Sequence, residues 1–582
     1  MNYDPRFAAV CGDSRLPSQS TDRLLKHEPS AQIQDLCVEW SAAALRELLA
    51  SRLASDQVIV VSNRQPISHE FVDGTVALRQ PASGLVTALE PVVRACNGTW
   101  IGHGSGDADR DFVDTSDRWL ASSDCGSYQL RRIWLTEQER KGYCDGFSNS
   151  GLWPLCHRVH VRPVFDEVDW QHYQAINRRF ANAVVREARG PAPIVLIQDY
   201  HLALVPALVR SQLPHATIVT FWHIPWPHPQ QMEMCPWLGE LLNGLLGSDI
   251  VGLQTPQDAG NFADLAARCG ERKTERDSTI VLHGNGSTHV RHYPISIAWP
   301  IATDTTATPS VKSCRQMAER YWLLPPQGRL IIGVDRFDYT KGIIERLHAF
   351  EELMTTRPQW QGLVRFVQIA APTRQGLKDY TDFQTQVRKE VDRINAKFDA
   401  LHHAPIVLLD SQHDRLALDK LYRAADVCLV TSLHDGMNLV CKEFVAARDD
   451  EQGVLVLSQF TGAARELDAA LIVNPYHTAQ VAESLHQALS MTKIEQGQRM
   501  RALRCTVKSA SVYRWAASML TDAVALRAAV PKPLERSRPT SVTVGAQVEP
   551  TTSCKARDDR SVLPSGSALG LSSGSNSLAA CI

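Results

Sequence analysis

Short runs of aliphatic and β-branched residues recur along the middle of the chain, and apolar residues at helical spacing lie between them. A first series of strands is predicted at Gln57–Asn63, Pro193–Asp199 and Ala216–Trp222, with a helix over Leu202–Leu213. A second series is predicted at Arg329–Arg336, Val364–Ile369, Ile406–Leu409, Val427–Val430 and Val454–Leu457. Runs that are apolar on both faces are typical of parallel strands covered by helices.

Helical patterns separate the strands of the second series, at Ile343–Leu353, Tyr380–Phe398 and Asn438–Arg448. The two βαβ series are divided near Ser296–Pro326. This pattern predicts an α/β protein with two Rossmann-like, doubly wound domains and a cleft between them.

The two ends of the chain differ from the middle. The first 29 residues are polar and weakly patterned, and Ile33–Leu53 has the spacing of one amphipathic helix. From Pro531 the chain is rich in Pro, Ser, Thr and Gly, a composition that predicts disorder. We therefore expect an N-terminal extension at 1–56, domains at 57–305 and 306–500, a helical segment at 501–530 and a disordered tail at 531–582.

Composition and charge narrow the class of protein. The 582 residues are 44% hydrophobic and 21% charged, which is typical of a globular protein with several domains. Lys and Arg (61) nearly balance Asp and Glu (63), which argues against nucleic acid or an anionic membrane as the main partner. The N-terminus lacks the apolar stretch of a secretory signal, and the 14 cysteines form no CxxC pair. We expect a cytoplasmic enzyme.

The segment Gly333–Ile343, GVDRFDYTKGI, carries two cations where a predicted strand ends. Arg336 and Lys341 then lie at the carboxyl end of a parallel strand, where α/β proteins bind ligands. Two cations in such a loop can hold a diphosphate and stabilise charge on it as a leaving group. The alternative is a solvated Arg and Lys in a surface turn.

A second segment, Thr431–Phe444, TSLHDGMNLVCKEF, joins a predicted strand to a helix that starts near Asn438. The N–H groups at a helix start suit a diphosphate. Asp435 is placed to accept hydrogen bonds from sugar hydroxyls, and Glu443 to reach a ribose. The alternatives are that Asp435 caps the helix and that Glu443 is a surface acid.

Polar residues also follow predicted strands in the N-terminal half. They are Arg64 in Ser62–Arg64, Asp199 in Gln198–His201 and His223, while Ala82–Leu85 marks a probable helix start. Each is a weak signal alone, because a single histidine after a strand is more often a structural hydrogen-bonding group. Their convergence at one cleft favours a binding site.

Metal and dinucleotide signals are weak. Asp107 and Asp109 form a DxD, and Cys156, His157 and His160 lie close in sequence, but no second ligand pair completes a zinc site. Gly102–Gly106 lacks the dinucleotide spacing. We expect neither a metal nor another cofactor.

These segments together resemble the trehalose-6-phosphate synthase family of retaining glycosyltransferases (glycosyltransferase family 20). The resemblance runs from about Val58 to Arg527 and rests on VVSNR, ASGL, GFSNSGLWP, QDYHLALVP, WHIPWP, YPISI, GVDRFDYTKG, QIAAPTR, HDGMNLVCKEFVAA and VLVLSQFTGAARELDAALIVNPY. It implies the two-domain GT-B fold, with an N-terminal acceptor domain and a C-terminal nucleotide-sugar domain. It also implies transfer of glucose from UDP-glucose to glucose 6-phosphate with retention, giving α,α-trehalose 6-phosphate and UDP.

The resemblance implies roles for individual residues. The implied donor-binding residues are Gly84, Arg336, Lys341, Asp435, Met437, Asn438, Leu439 and Glu443. The implied acceptor-binding residues are Arg64, His103, Cys144, Trp153, Asp199 and Arg374. The implied catalytic residues are His223, Arg336, Lys341 and Asp199, which act by positioning and charge stabilisation because no carboxylate is placed as a covalent nucleophile.

The chain departs from the family mainly on the acceptor side. His103 stands where the family usually has Trp, and Cys144 stands where a Tyr commonly holds the acceptor phosphate. The other departures are Gln198 for His, Ser83 for Gly and His434 for Arg. Two further functions therefore stay open, a glucosylglycerol-phosphate synthase using ADP-glucose and glycerol 3-phosphate, and a non-catalytic sugar-phosphate-binding homologue. The sequence also leaves a homo-oligomer open.

Overall fold

The computed structural model describes twelve stretches of the chain. They are residues 40–52, 57–72, 74–79, 84–123, 126–268, 273–274, 280–284, 286–299, 309–322, 324–325, 327–398 and 404–529. The polar leader, the part of the predicted first helix before residue 40, and the predicted disordered tail lie outside the described residues.

The N-terminal half is built on strands that are mostly parallel. The strands are β1 Val58–Arg64, β2 Ser68–Val72, β3 Thr75–Arg79, β4 Thr99–His103, β5 Arg118–Ser123, β6 Gly126–Ile133, β7 Ile194–Gln198, β8 Thr217–Phe221, β9 Ile250–Leu253, β10 Lys273–Thr274, β11 Ile280–His283 and β12 Gly286–His292. In the described residues they form a ten-stranded sheet in the order β10-β11-β12-β9-β8-β7-β1-β4-β6-β5, while β2 and β3 form a separate hairpin. Only the β10–β11, β11–β12 and β5–β6 pairs of that sheet are antiparallel.

The C-terminal half is built on a second, smaller sheet. Its strands are β13 Arg329–Arg336, β14 Val364–Ala371, β15 Ile406–Leu409, β16 Val427–Val430, β17 Val454–Ser458 and β18 Leu471–Val473. They lie in the order β15-β14-β13-β16-β17-β18, and all pairs are parallel. The two predicted doubly wound sheets are thus confirmed. We call each sheet with its helices the N-terminal and the C-terminal lobe.

Helices cover both sheets. In the described residues they are α1 Ala42–Arg52, α2 Gly84–Ala95, α3 Glu137–Arg140, α4 Trp153–Cys156, α5 Glu167–Glu187, α6 Val205–Gln212, α7 Pro229–Met232, α8 Leu238–Leu245, α9 Pro256–Arg268, α10 Val311–Tyr321, α11 Ile343–Thr356, α12 Lys378–Lys397, α13 Arg415–Ala424, α14 Leu439–Ala447, α15 Thr478–Ser490, α16 Lys493–Ser509 and α17 Val512–Ala529. A π-helical segment, Lys141–Leu152, joins α3 to α4.

The strands and helices predicted from the sequence agree with the structure to within a few residues, and β15 and β16 agree at both ends. The helix predicted from Leu202 instead begins at Val205, because Tyr200–Leu202 forms a 3₁₀ turn after a left-handed residue, Asp199. Strands β2 to β6, β9 to β12 and β18 were not predicted. The domain limits stay a prediction, since the boundary at 305/306 falls outside the described residues.

The last helix, α17, crosses back from the C-terminal lobe to the N-terminal sheet. Its indole, Trp515, packs edge-on against Phe221 of β8 with ring centroids 5.1 Å apart. The N–H of Val512 donates to the carbonyl of Ile297 at 2.9 Å. Because Phe221 comes two residues before His223, α17 supports the floor of the cleft.

Helix α1 packs against α2 and α17. Leu45 and Leu49 are buried in the main hydrophobic core, and the hydroxyl of Ser511 donates to the carbonyl of Trp40 at 3.3 Å. The N-terminal extension therefore contributes one packed helix at the point where the two lobes are joined.

None of the helices in the described stretches combines the length and the apolar character needed to cross a bilayer.

Leu45→Ala is expected to lower the free energy of unfolding by about 2–5 kcal/mol, because it leaves a cavity in a fully buried contact. Glu47→Ala, on the exposed face of the same helix, should change the unfolding free energy by about 0.5 kcal/mol or less. Urea denaturation followed by tryptophan fluorescence measures both variants. Equal midpoints for Leu45→Ala and the unmodified protein would contradict the packing of α1.

Candidate active site

Arg336 and Lys341 lie at the carboxyl end of β13, as the sequence predicts. Arg336 is the last residue of the strand, and Lys341 ends the 3₁₀ turn Tyr339–Lys341. Gly342 follows with φ at +62°, and a Cβ there would come within 2.1 Å of the carbonyl oxygen of Thr431. The turn that presents Lys341 therefore requires glycine at the next position.

Lys341 and Asp435 form an ion pair across the strand ends, with Nζ 2.7 Å from Oδ2. The side chains of Ser432 and Asn438 also donate to Asp435, at 3.3 and 3.2 Å. Burial alone would raise the pKa of Asp435, but Lys341 and the hydrogen bond from Asn438 lower it overall. The carboxylate is therefore ionised and positions the ammonium.

Asn438 shapes the start of α14. Its backbone is left-handed, with φ at +78°, and its side-chain oxygen accepts from the N–H of Cys441 at 3.1 Å. A helix start capped in this way carries partial positive charge. Met437 is buried in the core, and Leu439 is the first helical residue.

Glu443 lies on α14 beyond this helix start and is largely buried. Its Oε2 accepts from the hydroxyl of Tyr422 at 3.2 Å, and its Oε1 lies 3.8 Å from Arg415. Burial raises the pKa of Glu443, and Arg415 and the Tyr422 hydrogen bond oppose that rise. The alternative of a surface acid is wrong.

Arg374 joins the two lobes. It follows β14 with a left-handed backbone, φ +47°, and its guanidinium lies 3.9 Å above the Trp153 ring of the N-terminal lobe. It donates to the hydroxyl of Tyr200 at 3.2 Å and to the hydroxyl of Tyr380. Burial would lower the pKa of Arg374, but Tyr380, Tyr200 and Asp338 raise it overall, so the charge is kept.

A buried carboxylate, Asp338, lies between two of the arginines. Its Oδ2 is 3.5 Å from Arg374 and 4.0 Å from Arg336. Burial would raise the pKa of Asp338, but Arg374 and Arg336 lower it overall. Asp338 thus holds the two guanidinium groups near each other without neutralising both.

Arg64 ends β1 and lines a cavity of about 250 Å³. The lining residues are Asn63, Arg64, Gln65, His103, Ser105, Leu135, Arg140 and Cys144. Although its side chain reaches solvent in the cavity, protein surrounds it, and this burial, followed by the charges of Arg336 and Arg374, lowers the pKa of Arg64. No ion pair of Arg64 occurs among the described residues. The guanidinium groups of Arg64, Arg336 and Arg374 repel one another, and a bound anion would relieve that repulsion. The part of the cavity next to Arg64 is therefore suited to binding an anion.

Cys144 lies in the same cavity, in the π-helical segment. Its sulfur accepts weak hydrogen bonds from Asn149 at 3.4 Å and Asn63 at 3.8 Å. Burial would raise the pKa of the Cys144 thiol, but the neighbouring His201 ring lowers it overall. The neighbouring phenol, Tyr143, is buried in the core, so a thiol and not a hydroxyl faces the cavity.

His103, at the end of β4, lines the same cavity beside Arg64. It pairs in register with Arg64 of β1. Burial, followed by the charge of Arg140, lowers the pKa of His103 to about 4. The imidazole is therefore neutral near neutral pH.

Asp199 and His223 follow neighbouring strands, β7 and β8. Asp199 is left-handed, with φ at +76°, and its Oδ1 accepts from the N–H of His223 at 3.3 Å. Burial would raise the pKa of Asp199, but two neighbouring histidines, His201 with Nδ1 3.7 Å from Oδ2 and then His223, lower it overall. Burial lowers the pKa of His223 to about 4. Strained backbone at Asp199, as at Arg374 and Asn438, is a common feature of functional sites.

The lobes touch at a glycine. A Cβ at Gly436 would lie 2.4 Å from the carbonyl oxygen of His223 and 3.3 Å from the backbone of Ile224. Close by, the N–H of Arg158 donates to Nδ1 of His434 at 3.2 Å. Contact between the lobes thus brings His223 next to the Asp435–Gly436 loop.

The acidic DxD pair has a structural role. Asp109 is fully buried in an ion pair with Arg132 at 2.9 Å, and it also accepts from the side chain of Gln65 and the N–H of His69. Asp107 accepts from the N–H of Phe71 at 2.9 Å. His157 is buried, and its Nδ1 lies 2.8 Å from the Trp153 carbonyl. Within the described stretches, no three His, Cys, Asp or Glu side chains are grouped as metal ligands.

The structure brings most of the predicted residues to one cleft. Gly84 begins α2, but residues 81–83 before it lie outside the described residues, so its predicted contact with a diphosphate stays a prediction. Sequence reasoning missed Asp338, Tyr200 and Asn149, whose side chain accepts from Tyr200 at 2.9 Å. Each lies inside one of the family motifs, and no spacing rule singles it out, because its role depends on a contact with Arg374 or with a residue that holds Arg374.

Comparison with known proteins agrees with this architecture. The sequence profile described as glycosyltransferase family 20 matches residues 56–525. A trehalose-6-phosphate synthase of Mycobacterium avium is 39% identical over 473 residues, 80% of this chain and 95% of that protein. A bifunctional trehalose-6-phosphate synthase/phosphatase of Thermoproteus tenax is 35% identical over 81% of this chain and 64% of its own length.

Solved structures are similar over the same range. An E. coli protein bound with UDP-2-fluoro glucose has a TM-score of 0.71 at 32% identity, covering 81% of this chain and 99% of its own. A UDP-forming α,α-trehalose-phosphate synthase of Burkholderia xenovorans in complex with glucose-6-phosphate has a TM-score of 0.69 at 31% identity, covering 80% and 99%.

The structure has two doubly wound lobes, and cationic side chains at the strand ends face the cleft between them. This is the architecture of a glycosyltransferase of the GT-B fold. The chain belongs to glycosyltransferase family 20, the trehalose-6-phosphate synthase family.

Gly436→Ala is expected to reduce glycosyl transfer at least tenfold, because the new methyl group collides with the backbone of His223 and forces the lobes apart. Steady-state kinetics measure the change. Gly260→Ala, where a Cβ meets nothing within 4 Å on helix α9, is the matched control and should retain full activity. Unchanged kinetics in Gly436→Ala would contradict the close approach of the lobes.

His434 is expected to make the protein less stable in mild acid. Burial, followed by the charges of His157 and Arg158, lowers the pKa of His434 to about 3 from an ordinary 6.5. Between those two values the unfolded chain binds a proton that the folded protein does not, so stability falls as pH falls. Replacing His434 by Asn should make the decline between pH 7 and pH 4 shallower, as measured by urea midpoints.

The exposed His215 provides the control for this experiment. His215→Asn should leave the pH dependence of the urea midpoint unchanged. Identical slopes for His434→Asn and the unmodified protein would show that His434 is not buried in its neutral form.

Proposed function

We propose that the protein transfers glucose from UDP-glucose to glucose 6-phosphate with retention, giving α,α-trehalose 6-phosphate and UDP. The proposal is supported by the names of its relatives and by similar structures described with UDP-2-fluoro glucose and with glucose-6-phosphate. The observation that carries it is the convergence of Arg64, Arg336 and Arg374 on one cleft, beside the Lys341–Asp435 pair.

On the donor side, Arg336 and Lys341 bind the diphosphate and stabilise the charge that grows on it as the bond to the sugar breaks. The start of α14 at Asn438 adds backbone N–H groups, and Glu443 accepts from the ribose. Asp435 orients Lys341 and accepts from the donor glucose.

On the acceptor side, Arg64 and Arg374 bind the phosphate, and Trp153 forms the wall against which the sugar lies. Asp199 accepts from a hydroxyl of the acceptor. The acceptor oxygen forms the new bond to the anomeric carbon, and its proton passes to the leaving diphosphate. The protein thereby supplies position and fixed charge, and contact between the lobes excludes the water that would hydrolyse the donor.

The second candidate is transfer from ADP-glucose to glycerol 3-phosphate. It is favoured by His103 and Cys144, which line the cavity beside Arg64 in place of larger aromatic side chains. An imidazole is smaller than an indole, and a thiol is a weaker hydrogen-bond donor than a phenol, so the cavity has more room and holds a sugar phosphate less firmly.

A panel of donors and acceptors with product identification tests the proposal. UDP-glucose and ADP-glucose are each combined with glucose 6-phosphate, glycerol 3-phosphate or no acceptor, and nucleotide release is followed. The first function is supported if UDP is released from UDP-glucose faster than in the absence of an acceptor, and if glucose 6-phosphate is the only acceptor that has this effect. Release only with glycerol 3-phosphate supports the second, and binding of donor without release on any acceptor indicates a non-catalytic homologue.

Arg64→Ala is expected to impair use of the acceptor, and Lys341→Ala to impair departure of the nucleotide. Arg64→Ala should raise the KM for the acceptor about tenfold or more and leave UDP binding unchanged, because it removes a cation from the acceptor cavity. Lys341→Ala should lower kcat about a hundredfold, because it removes charge stabilisation at the leaving group. Steady-state kinetics and calorimetry with UDP measure both.

Lys378→Ala, which removes an exposed lysine on α12, is the control and should behave like the unmodified protein. If Arg64→Ala weakened UDP binding and spared the acceptor KM, the assignment of the cavity to the acceptor would be wrong.

A further inference from the structure

Gln198 lies under the cleft, directly beneath the imidazole of His223. It is the last residue of β7, it is fully buried, and its register partner on β8 is Phe221. Its side-chain oxygen Oε1 lies 2.8 Å from Nε2 of His223. Its side-chain nitrogen is buried without a hydrogen-bond partner in the described residues. Gln198 therefore makes its side-chain hydrogen bond through the oxygen that faces the histidine.

The state of the His223 ring follows from this contact. The ring is neutral near neutral pH, because burial, against the opposing charge of the adjacent Asp199, lowers the pKa of His223 to about 4. A neutral imidazole carries one N–H, and an amide oxygen can only accept a hydrogen bond. The proton is therefore on Nε2, where it donates to Gln198.

The other ring nitrogen, Nδ1, is left with a lone pair. It makes no hydrogen bond to the described residues and is not among the buried polar atoms that lack partners, so it is open to the cleft. The ring is held in place by the edge of Phe221 at 4.6 Å and by Trp515 at 6.4 Å. The only group His223 offers to a ligand from its ring edge is thus a hydrogen-bond acceptor.

We infer that Gln198 is a positioning residue for the donor sugar: its amide oxygen fixes His223 in the Nε2–H tautomer, and Nδ1 accepts a hydrogen bond from a hydroxyl of that sugar. This inference rests on the proposed function for the identity of the sugar nucleotide. An amide does not titrate, whereas the histidine that the family has at this position does. In this chain, the tautomer of His223 is therefore the same at every pH at which the His223 ring is neutral.

The tautomer is measured directly in the ligand-free protein. The full chain is labelled with ¹⁵N-histidine, and long-range ¹H–¹⁵N spectra identify the protonated nitrogen of each ring. The His223 signals are assigned by their loss in His223→Asn. A protonated Nε2 that persists from pH 6 to pH 8 is expected. A protonated Nδ1, or a mixture of the two forms, would overturn the inference whatever the enzyme's substrate is.

The contact with the sugar is measured by calorimetry with two ligands that share the nucleotide. In Gln198→Leu, which has a similar volume and no acceptor, UDP should bind as tightly as to the unmodified protein. UDP-glucose should bind about five- to tenfold more weakly, the effect of one misplaced hydrogen bond. Equal weakening of both ligands would show a merely structural role and overturn the inference.

Gln198→Glu keeps the acceptor at the same place and adds a negative charge, which should raise the pKa of His223. The Nε2–H tautomer is then expected to survive at pH 8. As the pH falls, the ring should take up a second proton on Nδ1, and the affinity for UDP-glucose should fall while that for UDP does not. A flat pH profile for UDP-glucose binding would contradict the role of Nδ1 as acceptor.

The two hypotheses fail in different ways. If the unmodified protein bound neither UDP nor UDP-glucose, the proposed donor would be wrong, and the spectra would still report the tautomer. If it bound both ligands and released UDP normally while His223 carried its proton on Nδ1, the proposed function would stand and the role of Gln198 would be wrong.

Discussion

The cleft depends on one buried guanidinium, that of Arg374. A charge can be kept away from water only where its partners are already in position, and those of Arg374 come from both lobes. Trp153 and Tyr200 belong to the N-terminal lobe, and Asp338 belongs to the C-terminal lobe. The approach of the two sheets and the formation of a cationic site are therefore the same structural event.

Carboxylates in the cleft orient cations and leave the site with unbalanced positive charge. Asp435 holds Lys341, and Asp338 is shared between two arginines. Arg64 has no such partner in the described residues, and burial, followed by the charges of Arg336 and Arg374, lowers the pKa of its guanidinium. A site of this kind favours substrates that bring two phosphate groups from opposite sides, which agrees with a nucleotide sugar and a sugar phosphate as the proposed pair.

The acidic pair to which the sequence analysis gave little weight also orients a cation. The DxD pair resembles a metal site in sequence, but Asp109 is buried, and it binds Arg132 and the side chain of Gln65. It supports the turn that follows β1. The departures at His103 and Cys144, by contrast, do line the cavity beside Arg64, the proposed acceptor site, so they are residues through which this chain can differ from its relatives.

The sequence by itself determined the alternation of strands and helices, the two lobes and most residues of the cleft, because apolar periodicity and motifs such as GVDRFDYTKG are local. It did not determine β4 to β6, whose polar and glycine-rich stretches acquire strand structure only within the sheet, where β4 pairs with β1, β6 with β4 and β5 with β6. Nor did it reveal Asp338 or the contact between Gln198 and His223. These contacts depend on which side chains meet after the sheets have formed. The spacing of residues along the chain does not determine their distance in the folded structure.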